Sequence, residues 1–164
     1  MAAIDALNVF SGGFNAAGAV SYQTVTGTST TVLGSNSIDT TGGLGAAQPT
    51  DLGKGEELDI VAQVGTAFVG ATSIEIQYIS ADDAALTTNV TVLGSSGAIP
   101  IAKLAAGAQV VVPVPPVDPR ALRRYVGVQY VIVGAGSAGS FFTALQRRHG
   151  DLPQPAYKSG FTVA

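Results

Sequence analysis

Short runs of β-branched and aromatic residues recur along this chain, each closed by a cluster of Gly, Ser, Asn, Asp or Pro, with no long amphipathic helical pattern between them. That punctuation restricts the chain to strands joined by turns, as in a sandwich or a barrel. About eight runs reach strand length: 21–26, 30–33, 58–64, 73–79, 89–93, 109–114, 125–133 and 141–145. The clearest is Ser73 to Ile79, where Ile74, Ile76 and Tyr78 alternate with Glu75 and Gln77, so that one face is buried and the other wet. Val90 and Val92 repeat the alternation. Gln109 to Val114 is apolar almost throughout and stops in Pro113, Pro115 and Pro116. Proline lacks the N–H that a neighbouring strand needs, which places this run at a sheet edge. A helical turn is expected at Ile101 to Ala106, ended by Gly107, and 34–55 reads as a long polar, Gly-rich loop. The expectation is a single all-β domain over 1–164, built as an antiparallel sandwich.

Charged residues make up 12% of the chain, about half the usual share, so little holds copies or partners apart. No apolar run nears the roughly 18 to 20 residues that span a bilayer, and no membrane partner is expected. The first residues carry Asp5 where a secretion signal would carry Lys or Arg. With no cysteine, burial and backbone pairing must hold the fold without disulfides. Up to Pro100 there is one base, Lys54, against nine acids, a net of −8; from Ile101 onward seven bases meet two acids, a net of +5. Within one domain, such halves can pair with each other or across subunits.

Val131 to Gly139 spells an apolar strand followed by G-x-G-x-x-G, the pyrophosphate fingerprint of nicotinamide and flavin enzymes. That mechanism needs a helix rising from the glycines, a parallel neighbour strand and an acid about 20 residues on. Here Pro153 and Pro155 cut any helix short and Asp151 comes too early. The glycines instead read as a tight turn, joining 125–133 and 141–145 into a hairpin. His149, the single histidine, lies between Arg147, Arg148 and Gly150, poor surroundings for a catalytic triad. Asp82 with Asp83, and Glu56, Glu57 and Asp59, lack the spacing of a calcium loop. Arg120, Arg123 and Arg124 lack interleaved aromatics in an acidic protein, so nucleic acid is not an expected partner. No catalytic residue, cofactor or metal is expected, and the chain is read as non-enzymatic.

Both ends, 1–19 and 150–164, read as irregular arms. Phe10 and Phe14 sit among Gly and Asn, while Tyr157 and Phe161 follow prolines. Aromatics in such segments pack either on the chain's own core or on a neighbour. These four are the candidate contact residues.

Several stretches, in order, resemble the cement or decoration proteins of short-tailed bacteriophages. They are Asp5 to Ser11, Leu52 to Val64, Thr66 to Ser73, Gly97 to Ile101, Leu104 to Gly107, Val112 to Pro116, Arg124 to Tyr130, and Ala138 with Gly139. The Gly-rich segment from Thr40 to Gln48 and the tail after His149 depart from that pattern. The resemblance implies a jelly-roll-like β-sandwich, a homodimer or homotrimer, and a seat on the outer capsid surface of the virion, bridging major capsid protein subunits. The alternative is a β-sandwich binding module of a phage tail or fibre, or of a carbohydrate-binding protein.

Overall fold

The computed structural model describes residues 8–41, 58–115 and 122–147. Thirteen strands follow in chain order: β1 (Val9–Ser11), β2 (Gly13–Phe14), β3 (Val20–Ser21), β4 (Gln23–Thr24), β5 (Gly27–Thr28), β6 (Thr31–Leu33), β7 (Ile38–Asp39), β8 (Leu58–Val64), β9 (Val69–Ala81), β10 (Thr91–Pro100), β11 (Gln109–Pro113), β12 (Tyr125–Ala138) and β13 (Ser140–Arg147). A 3-10 turn, Ile101–Lys103, separates β10 from β11.

Among the described residues, β2 and β3 pair as a separate ribbon, and the other eleven strands form two antiparallel sheets that pack face to face. The first runs β1-β13-β8-β11, with β4 also on β13; the second runs β10-β9-β12, with β5, β6 and β7 paired in turn along the free side of β12. Between the sheets lie Ile60, Ala62 and Val64 of β8, Ile74, Ile76 and Tyr78 of β9, and Val126, Val128, Tyr130 and Ile132 of β12. The period-2 pattern of Ser73 to Ile79 thus orients β9 as expected, its Ile and Tyr side chains inward. The proline-ended run becomes β11, whose one partner on the sheet path is β8. At about 1.5–3 kcal/mol for each large apolar side chain removed from water, this interior is the main source of stability.

One polar cluster sits inside that greasy layer. The Tyr130 hydroxyl, carried by the second sheet, donates to Ser11 Oγ at 2.7 Å and lies 2.6 Å from Thr143 Oγ1, both on the first sheet. Its ring stacks on Phe141 at 5.0 Å. All four side chains are buried, so no water competes for these hydrogen bonds.

The sequence reading of 125–145 as a hairpin is corrected. β12 continues through the glycines to Ala138, and β12 and β13 lie in opposite sheets. The chain crosses between layers at Gly139, whose φ of +146° suits glycine alone and whose added Cβ would stand 2.1 Å from the Phe68 ring. The small residues make a strand that passes close to its neighbours and then steps across, rather than folding back on itself.

Other boundaries also shift. Residues 9–11, read as part of an irregular arm, form β1 on the first sheet. The expected run 21–26 is broken into short pieces, the run 30–33 is β6, and Ile38–Asp39, read as loop, pairs with β12. Val90, just before β10, and Val92 share a side as the alternation expects, and that side is exposed. The tail 150–164 lies outside the described residues.

Two substitutions test this layer geometry by urea unfolding. Y130F should cost about 1–3 kcal/mol, since Ser11 and Thr143 lose a buried partner. G139A should cost at least about 2 kcal/mol through backbone strain and the clash with Phe68. Midpoints equal to that of the parent protein would refute the assignment.

Candidate interaction surface

Alternation along the strands gives each sheet an outward side, and the two sides differ in chemistry. On the first sheet, Phe141 and Leu145 point into the core, so Phe142 and Ala144 point out, where they cluster with Val9. On β8 the inward set is Ile60, Ala62 and Val64, leaving Asp59, Val61 and Gln63 outward. On β11 Val112 is buried and Val111 stands 54% exposed. The register aligns Val9 with Ala144, Ala144 with Val61, and Val61 with Val111. An apolar row therefore crosses all four strands, buried at Val9 and Ala144, half-buried at Val61 and open at Val111.

A small hairpin adds to this side. β2 and β3 pair antiparallel, and the Asn15 side-chain oxygen closes their turn by accepting from the N–H groups of Ala17 and Ala19 at 3.0 and 2.9 Å. Phe14 meets Phe142 edge-on at 5.6 Å, and Tyr22 meets it at 6.5 Å. Phe142 is buried, whereas Phe14 and Tyr22 remain 39% and 40% exposed. Val20 is exposed beside them. Aromatic rings held on a covered ring but still open to solvent suit contact with another apolar surface.

The outward side of the second sheet is polar at its centre. Gln129 donates through Nε2 to Gln77 Oε1, Gln77 donates to Glu75 Oε1 at 2.8 Å, and the Ser95 hydroxyl also donates to Glu75. Hydrogen bonds from Ser95 and then Gln77 hold the Glu75 carboxyl below its ordinary pKa, against the opposing effect of desolvation. Exposed Val69 and Val133 lie toward one end of this sheet, Val90 and Val92 toward the other.

At that other end the 82–89 loop folds over the outward side. Leu86, buried at a positive φ of 59°, packs with Ile79 and Ala81. It occupies the space left by Gly127, whose added Cβ would stand 2.3 Å from Leu86 Cδ1. Arg123 pairs with Asp82 at 2.8 Å and Arg124 with Asp39 at 2.9 Å. These two ion pairs join the acidic half of the sequence to its basic half inside one domain. Such exposed pairs contribute little stability each, but they fix two loops beside the start of β12. Hydrogen bonding from Arg124 drives Asp39 far below the usual carboxylate range. Asn89 and then Arg123 lower Asp82, and the Thr88 backbone N–H lowers Asp83.

Of the four candidate contact residues, Phe14 lies on this apolar side and remains open. Phe10 is corrected: it is fully buried against Tyr78, with ring centroids 6.3 Å apart, and offers nothing to a partner. Its neighbours in sequence looked irregular, but β1 carries it into the core. Tyr157 and Phe161 lie outside the described residues, as do His149, Arg120, Glu56 and Glu57. Sequence reasoning missed Tyr22, Val61 and Val111. A signal was present: Leu58 to Val64 and Gln109 to Val114 carry apolar residues at both parities, the mark of strands with two apolar sides. At the G-x-G-x-x-G motif no helix begins, and the first two glycines belong to β12.

The fold and its surfaces define a two-layer antiparallel β-sandwich with an apolar outward side and one that is polar at its centre. A model of the Bbp16 family matches residues 18–145, from the β2–β3 turn into β13. The chain belongs to the Bbp16 family, which is phage-associated. No curated protein matches it.

The lowered carboxylates predict an acid response of definite sign. Because their folded pKa values lie below the unfolded ones, their stabilisation is present above about pH 4 and is lost as pH falls through each folded value. Melting temperature should therefore decline below about pH 4, and D39N should decline less steeply than the parent. Parallel acid profiles for the two proteins would contradict the Asp39–Arg124 assignment.

Proposed function

We propose that this protein is a non-enzymatic structural component of the virion. It acts as a cement protein on the outer surface of a phage capsid, where as a homodimer or homotrimer it bridges major capsid protein subunits and stabilises the shell. The observation that carries this reading is the set of accessible apolar residues on the outward side of the first sheet, Val61 and Val111 with Phe14, Val20 and Tyr22, in a chain of a phage-associated family. Such a surface suits contact with protein rather than with nucleic acid or a membrane. The strand order also supports a jelly-roll arrangement. When β1 with β4, and β5 with β6 and β7, are each counted as one interrupted strand, the orders become 1-8-3-6 and 2-7-4-5. That order is the one a double-sheet jelly roll would give.

Physically, cement function requires a rigid body and surfaces that grip several neighbours at once. Simultaneous engagement raises effective concentration, so modest single contacts suffice. Bound copies then raise the free energy of separating adjacent shell subunits. The test is sedimentation with empty shells, followed by heating of shells with and without the protein. Co-sedimentation and later rupture of decorated shells are expected. Equal rupture temperatures, or sedimentation with tails and not with shells, would overturn the proposal.

A further inference from the structure

Resting on the cement reading, we infer that the docking side is the outward side of the first sheet with the β2–β3 hairpin, and that its occupant is an uncharged, apolar patch on the shell. The polar ladder of the second sheet then faces solvent.

Charge is the first argument. Among the described outward positions of β1, β8, β11, β13 and the hairpin, Asp59 is the one Asp, Glu, Lys or Arg. The arginines at the other end, Arg123 and Arg124, are already engaged by Asp82 and Asp39. A strongly charged partner would meet at most Asp59, itself 9% exposed, among the described positions of this side and would lose hydration against Val61, Val111 and Phe14. An apolar partner gains from the same residues. On the second sheet, by contrast, the exposed valines sit at opposite ends, Val69 and Val133 at one and Val90 and Val92 at the other, so a partner spanning them must also cover Gln129, Gln77, Glu75 and Ser95 and desolvate a hydrogen-bonded carboxylate.

Size is the second argument. Val9, Phe142 and Ala144 are already buried, so the open part is the β8–β11 half: two strands spaced about 4.8 Å apart, over five residues at about 3.3 Å each, give roughly 160 Å² before the hairpin is added. A stable pairwise interface needs about 800 Å² per partner. This side alone is therefore too small to hold one free shell subunit firmly, and the assembled lattice, which presents the patch repeatedly, is its proper occupant.

Shell binding by the parent protein should change less than twofold between about 50 mM and 1 M NaCl, because screening acts on charges. A tenfold loss over that range would overturn the inference. V111K, a change at an exposed edge-strand position, should weaken sedimentation with shells at least tenfold. V133K, at an exposed position of the second sheet, should leave it unchanged. Melting temperatures of both variants establish that they fold. If the parent protein fails to sediment with shells, the cement reading itself falls. If it sediments and V111K binds as well as V133K, the reading stands and the choice of face is wrong.

Discussion

The Tyr130 hydroxyl is the point on which the two layers depend. It comes from the centre of β12 in the second sheet and reaches Ser11 and Thr143 in the first. Apolar packing between sheets is largely indifferent to small slips, since it scales with buried area rather than direction. A buried hydroxyl is not indifferent, because a displaced partner leaves unpaired polar atoms at about 1–3 kcal/mol. The triad thus fixes the relative position of β1, β12 and β13. That in turn fixes which residues of β13 face inward, leaving Phe142 and Ala144 on the outer side.

Gly139 supplies the connection that makes this arrangement possible. A chain leaving β12 must reach the opposite sheet within one residue, and only a glycine fits against Phe68 with the required φ. After that step, alternation carries Phe141 inward onto Tyr130 and Phe142 outward beneath Phe14. The apolar outer surface is therefore a direct result of where the crossing falls. Shifting β13 by one residue would turn the same side chains the other way.

Much of the scaffold was legible in the sequence because its signals are local. Leu58 to Val64 has the bounds of β8, the alternation of Ile74, Ile76 and Tyr78 gives the facing of β9, and proline marks the edge at β11. The partners of those strands were not legible. Whether Gly134 to Gly139 turns back or crosses over depends on contacts with Thr72 and Phe68, which lie about seventy residues away in sequence. The irregular look of 8–14 hid a strand of three residues, too short for any periodicity, and so Phe10 was misplaced. Of the candidate surface, Phe14 was found from its setting. Tyr22, Val61 and Val111 required the register of four strands that are distant in the chain.

Titration of the tyrosines tests the sealed position of Tyr130 most directly. Burial, opposed by the hydrogen bonds to Ser11 and Thr143, pushes its pKa up to about 12, whereas an ordinary tyrosine is half ionised near pH 10. Since the folded value is raised, the stability it reflects is complete below about pH 10 and is lost as pH rises through the folded pKa. The phenolate absorbance missing from Y130F identifies the Tyr130 signal. The structure predicts that this signal stays silent through pH 10 and emerges near pH 12, as the sheets come apart. Ionisation of Tyr130 near pH 10 with the β-sheet circular dichroism intact would contradict a hydroxyl locked between the layers.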